Sequence, residues 1–198
     1  MVSLVKNGKR ADILQFTLVM LADLLNGKPN RYALANEDVQ GFSDEVMDCG
    51  IFEPLLRFGN IRLVTDSSLL THEDEAVPIL AGQVVTILLS SSTAAQDIPI
   101  ISLKVYFKWL SSLCKKPHTS MQDLAVQYFA GALRSSRNRL VFWDPELTCS
   151  TEVVEILKTK KDLQLQYHTL LVVWLVTFEV KIAKELNKYN SSRANADG

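Results

Sequence analysis

Apolar positions recur at helical spacing along most of the chain. Leu14, Leu18, Leu21 and Leu25 fall at i, i+4, i+7 and i+11 and predict one amphipathic helix, stopped by Gly27 and Pro29. The stretch 28–48 is polar and acidic and reads as a connector with at most a short helical turn. Between 46 and 58, Ile51, Leu55 and Phe58 keep helical spacing, with a start near Phe52 that leaves Pro54 in the first turn. Thr71-x-x-Asp74 resembles a capping box, with Glu73 and Glu75 adding negative charge at a helix start, and Leu80, Val84, Ile87 and Leu88 form the stripe that follows. Ser90 to Thr93 end that helix. The next is predicted from Asp97, with Pro99 in its first turn, Leu103, Phe107, Leu110 and Cys114 inside, and Lys115, Lys116 and Pro117 at its end.

Ser120-x-x-Asp123 reads as a second capping box, preceding a narrow face of Ala125, Phe129 and Ala132. A basic loop with Arg134, Arg137 and Arg139 then leads to Phe142, Trp143 and Pro145, and 151–157 reads as a short helix. Asp162 caps the most apolar helix, whose stripe of Tyr167, Leu171, Trp174 and Phe178 predicts the buried face. Leu170 to Val176 is apolar all round, so this helix is predicted to be covered on most sides. Val84–Ile87 and Val172–Val173 would suit strands in isolation, but their segments are too long and too periodic.

The starts at Asp74/Ala76, Ser120 and Asp162 are spaced by about 44 and 42 residues, within the ~40–47 residue period of armadillo and HEAT arrays. Gly (8) and Pro (6) are scarce for 198 residues, which favours long helices. The fold class is therefore read as all-α, an armadillo/HEAT-like helical-repeat superhelix over 1–189 with a polar, disordered tail at 190–198. A compact all-helical bundle is the alternative.

Net charge is -1, which gives no global attraction to nucleic acid or acidic lipid. The balance is uneven, however. Residues 1–99 hold 7 basic and 13 acidic groups and 100–198 hold 14 and 9, a dipolar layout suited to docking a protein partner. Cys49, Cys114 and Cys149 are dispersed and read as reduced, buried thiols. No signal peptide opens the chain, and the longest apolar stretches (76–89 and 169–178) fall short of the ~18–20 residues of a bilayer span, so the chain reads as soluble and cytosolic.

Catalytic templates are absent: the sequence has no GxxxxGK[ST], GxGxxG, GxSxG or HExxH. His72, His118 and His168 lie far apart, and with the scattered cysteines they offer no metal-ligand spacing; His168 reads as a helix-surface residue. Neither a metal nor a cofactor is expected. The acidic run 73–75 is most simply a helix N-terminus. Arg134, Arg137 and Arg139, with Lys158, Lys160 and Lys161, form a solvated face or an acidic partner's contact. Trp109 and Trp174 read as structural, whereas Trp143, following the basic loop, is a candidate interface residue.

Leu163-Gln164-Leu165-Gln166-Tyr167-His168, continuing through Leu170–Phe178 and ending near Lys188-Tyr189, resembles the H subunit of the vacuolar-type proton-pumping ATPase (V-type ATPase). Ile13–Leu25, Val105–Leu110 and Arg134–Trp143 are similar to further pieces of that family, in family order. The resemblance implies an armadillo/HEAT-like N-terminal domain with a regulatory, non-catalytic role. It also implies binding to the peripheral stalk of the E and G subunits, support of ATP-driven proton pumping, and a cytosolic place on the endomembrane without insertion. It further implies that the chain begins after the family's first helices and lacks its C-terminal domain, which helps silence the soluble sector. Arg134, Arg137, Arg139 and Trp143 are the candidate stalk contacts, because exposed arginines pair bidentately with carboxylates. The alternative is a free-standing helical-repeat adaptor for peptides or cargo. Against it, the tryptophans recur at 34 and 31 residues, short of the repeat period.

Overall fold

The computed structural model describes residues 10–26, 55, 69–91, 96 and 98–194. The connector at 28–48, the helix start near Phe52, Asp97 and Cys49 lie outside the described residues. Those described form eight α-helices and no strand: α1 (Ala11–Leu25), α2 (Ala76–Ser91), α3 (Ile100–Cys114), α4 (Thr119–Ala132), α5 (Ser136–Phe142), α6 (Cys149–Thr159), α7 (Leu163–Thr177) and α8 (Val180–Ala194). α2, α4 and α7 begin 43 and 44 residues apart, so the repeat period is present in the helices. The chain divides into two compact units between Tyr106 and Phe107, within α3.

In the first unit α1 lies against α2. Leu14, Leu18, Leu21 and Leu25 are at most 1% exposed, as their spacing predicts. α2 starts where Asp74 Oδ1 accepts the N–H groups of Ala76 (3.0 Å) and Val77 (3.4 Å). Thr71 instead ends a 3-10 turn (Leu69–Thr71), so the cap sits three residues later than the capping-box reading put it. The Gln15 amide donates to the same Asp74 oxygen at 2.8 Å and ties α1 to the start of α2. That bond, aided by the two backbone donors, holds the Asp74 carboxyl below the usual carboxylate range. Further along α2, the Gly82 carbonyl accepts from both Thr86 Oγ1 (2.8 Å) and Tyr106 Oη (3.0 Å). The fully buried Tyr106 is thereby satisfied, and the missing side chain at Gly82 leaves room for its phenol.

The second unit is organised by three phenylalanines, each at most 1% exposed. Phe107 of α3, Phe129 of α4 and Phe142 of α5 have ring centroids 5.1–6.4 Å apart in tilted or edge-to-face pairs. α6 follows a 3-10 turn (Pro145–Leu147) and Thr148, which adopts φ 58, an unfavourable region for a β-branched residue. Thr148 is held there by Ser111 Oγ (3.2 Å) and by the Glu152 N–H bonded to its carbonyl (3.0 Å). α7 lies against α4, α6 and α8. Its cap is the predicted one, Asp162 Oδ1 accepting the Leu165 N–H at 2.8 Å.

Two expectations for this region are corrected. α7 buries Leu165, Thr169, Val172 and Val176, while Tyr167, Trp174 and Phe178 are 65%, 56% and 56% exposed. A helix apolar all round carries no polarity to orient it. Its orientation is set by polar bonds to α4 (see below) and by Thr169, which buries its hydroxyl by donating to the Leu165 carbonyl at 2.6 Å. α8 runs to Ala194, five residues into the stretch read as a disordered tail, and 195–198 lie outside the described residues.

Phe129→Ala is expected to lower stability by about 3–5 kcal/mol in urea unfolding, and Phe129→Leu by less than about 1.5 kcal/mol. A loss below about 1 kcal/mol for the alanine variant would show that the triangle does not organise the unit. Cys114 and Cys149 are free and buried, and burial pushes both thiols up from 9.0 to about 12. Below pH 9 both states keep these protons. Above it the unfolded chain releases them and the folded chain does not, so stability should fall as pH rises from 9 toward 12. Urea midpoints measured across that window should flatten in Cys114→Ala/Cys149→Ala; an unchanged slope would reject these thiols as the cause.

Candidate functional site

The residues proposed from sequence as partner contacts lie between α4 and the end of α5. The segment is a helix from Ser136 rather than a basic loop, with Arg137 and Arg139 on it. It turns tightly because its own side chains bind the end of α4. Arg139 Nη1 donates to the carbonyls of Leu133 (3.0 Å) and Arg134 (2.9 Å), and Asn138 Nδ2 donates to Ala132 at 2.7 Å. These carbonyls lack intrahelical donors, and the guanidinium suits the negative end of the helix dipole. Trp143 Nε1 donates to Glu185 Oε2 at 2.6 Å and Ser136 Oγ to Glu179 Oε2 at 2.5 Å, tying α5 to α8. Arg139 and Trp143 are therefore each bonded within the chain. Arg134 is exposed and Arg137 half-buried.

Each histidine has a local partner or position. His72 Nδ1 accepts the Asp74 N–H at 3.1 Å, and His118 precedes α4 as its cap residue without a side-chain capping bond. His168 is no simple surface residue: its Nδ1 meets Asp123 Oδ1 at 2.5 Å, with side chains only 20% and 16% exposed. Asp123 Oδ2 also accepts from Gln127 (2.8 Å) and Gln164 (3.3 Å). The Ser120-x-x-Asp123 capping box is thus corrected. α4 starts at Thr119, and Asp123 is spent on fixing α7 to α4. Among the described residues, no group of three or more His, Cys, Asp or Glu is gathered to hold a metal ion.

Sequence reasoning missed the outer face of α7. Leu163, Tyr167, Leu170, Trp174 and Phe178 are 54–81% exposed along one line of the helix. The available clue was Leu163–Phe178 itself, sixteen residues without Asp, Glu, Lys or Arg, which carries more apolar surface than one buried stripe can use. No described helix is long and apolar enough to cross a membrane.

Replacing Arg139 with Ala should cost about 1–2 kcal/mol in thermal or urea unfolding, because carbonyls at the end of α4 lose their donor. Arg134→Ala should stay within about 0.5 kcal/mol of the parent. Equal effects of the two substitutions would remove the capping role.

With this geometry in view, two comparisons bear on identity. Among solved structures the chain is similar to the crystal structure of an engineered protein, with a TM-score of 0.62 and 15% identity over 90% of this chain. The likeness is one of fold, and the chain spans 61% of the length of that structure. A family model for the N-terminal domain of the V-ATPase H subunit matches residues 1–193. Helical throughout its described elements, with a period near 43 residues and matched over nearly its whole length, the chain belongs to the V-ATPase H-subunit family.

Proposed function

We propose that this chain is a non-catalytic regulatory and stator component of the vacuolar-type proton-transporting ATPase. It binds the peripheral stalk of the E and G subunits and supports ATP-driven proton transport and acidification from the cytosolic face of the endomembrane system. The observation that carries this reading is the family match over residues 1–193. Helical repeats that stack on one another suit a stator part, which must resist the torque of the rotor. Such a part needs no cofactor for that task, because it works by contact. Exposed Arg134, with half-buried Arg137 beside it, is the proposed anchor for carboxylates on the stalk.

The test is a pull-down of the chain with purified E–G heterodimer at low and moderate salt. Capture that weakens with salt and on Arg134→Glu is expected. Failure of capture by a chain shown to be helical by circular dichroism would reject stalk binding, and unaltered capture by Arg134→Glu would reject the anchor alone. The isolated chain should also hydrolyse no ATP; turnover above a buffer control would overturn the non-catalytic reading.

A further inference from the structure

Ser136 Oγ donates to Glu179 Oε2 at 2.5 Å where α5 meets the start of α8. Glu179 immediately precedes α8, and its carbonyl accepts the Ala183 N–H at 3.0 Å, so the residue that Ser136 holds is also the one on which the helix begins. Ser136 is exposed, and so is Arg134 two residues before it. Among the described residues, only Ser135 and Ser136 are hydroxyls that follow an arginine within three positions, and Ser135 is half-buried.

An exposed serine with arginine upstream is what an arginine-directed kinase selects, because the guanidinium pairs with carboxylates beside the kinase's peptide cleft. The backbone leading to Ser136 suits such a cleft, since Ser135 is already extended at φ -86, ψ 139. Ser136 is the first residue of a seven-residue helix, whose first turn opens locally without unfolding the rest of the unit. Esterification acts directly on the tie to Glu179. Oγ loses the hydrogen that Glu179 accepts, and a phosphate of about -1.5 to -2 charge at neutral pH is set against the carboxylate.

We propose that Ser136 is a phosphoacceptor for an arginine-directed serine/threonine kinase, and that its phosphate repels Glu179 and loosens the start of α8. The γ-phosphoryl group of ATP passes to Oγ: the bond to the ADP oxygen breaks as the Oγ–P bond forms, ADP leaves, and the hydroxyl proton is released. The same phosphate stands two residues from Arg134, the anchor proposed above for stalk carboxylates, so modification also weakens that contact. This last consequence rests on the stalk-binding reading; the phosphoacceptor and its effect on α8 do not.

The full chain is incubated with a purified arginine-directed serine/threonine kinase and γ-labelled ATP, and the modified residue is mapped by mass spectrometry. Label is expected on Ser136, lost in Ser136→Ala and kept in Ser135→Ala, with circular dichroism of both variants matching the parent. No label, or label undiminished in Ser136→Ala, would overturn the proposal. In hydrogen exchange, amides 183–187 of α8 should exchange about threefold faster or more after phosphorylation. Ser136→Ala loses the bond without gaining charge and should show a smaller rise, and phosphorylated Glu179→Gln should fall back toward the parent. Equal exchange before and after phosphorylation would overturn the link to α8. With purified E–G heterodimer, the unmodified chain should be captured more strongly than the phosphorylated one. Equal capture of both forms would overturn the effect on Arg134, whereas capture of neither would reject stalk binding while labelled Ser136 still upheld the phosphoacceptor.

Discussion

The second unit depends on the Phe107–Phe129–Phe142 triangle, because each ring comes from a different helix and none is in contact with water. α5 is only seven residues long, too short to persist by itself, and Phe142 is its last residue. Burying that ring against the other two therefore fixes the direction in which the chain leaves α5. The residues that follow, through the 3-10 turn and the left-handed Thr148, are bound to a path that returns Cys149 to α3. There the Cys149 thiol donates to the Phe107 carbonyl at 3.5 Å.

The α3–α4, α4–α5 and α6–α7 connections are built with side chains rather than glycines. Gln122 of α4 donates to the carbonyl of Cys114 at the end of α3 (2.9 Å), and Asn138 and Arg139 of α5 bind carbonyls at the end of α4. Gln166 of α7 donates to Lys160 at the end of α6 at 2.8 Å. In each case the next helix supplies the donor that the preceding C-terminus lacks. A glycine cap ends a helix without saying where the chain goes next. A side-chain donor on the following helix ends it and also sets the distance to that helix. The scarcity of glycine in the composition and the tightness of these junctions are two aspects of one arrangement.

How much of this was legible in the sequence follows from which interactions are local. The leucine stripe of α1, the Asp162 cap and the buried Phe129 face could be read because each is decided within one helix. The face of α7 could not, since periodicity orients a helix only when polar residues mark one side, and here the orienting groups are Asp123 on α4 and a hydroxyl folded onto its own helix. Asp123 misled for a related reason: a Ser-x-x-Asp spacing matches a capping box, yet a carboxylate placed at such a spacing can equally bond to a helix forty residues away. Arg139 shows the same limit for charge. Its sign was evident, but its partners are backbone carbonyls, which carry no mark in the sequence.

These corrections alter how an interface on this chain is to be sought. Charge runs drew attention to the α4–α5 junction, where most of the polar capacity is consumed internally and only Arg134 stands clear. The apolar run of α7 pointed to a core, yet half its circumference faces outward. In a helical repeat every helix pair has an inner side facing one neighbour and an outer side facing the next, so apolar residues on both sides of one helix are the ordinary signature of an internal position. On α7 the inner side is taken by α4, α6 and α8, and the outer side keeps the spacing and the side-chain size of a seam. The polar hub at Asp123 lies beside this face, His168 and Gln164 of α7 both bonding to it, and it holds α7 in a rotation that presents Tyr167 and Trp174 outward.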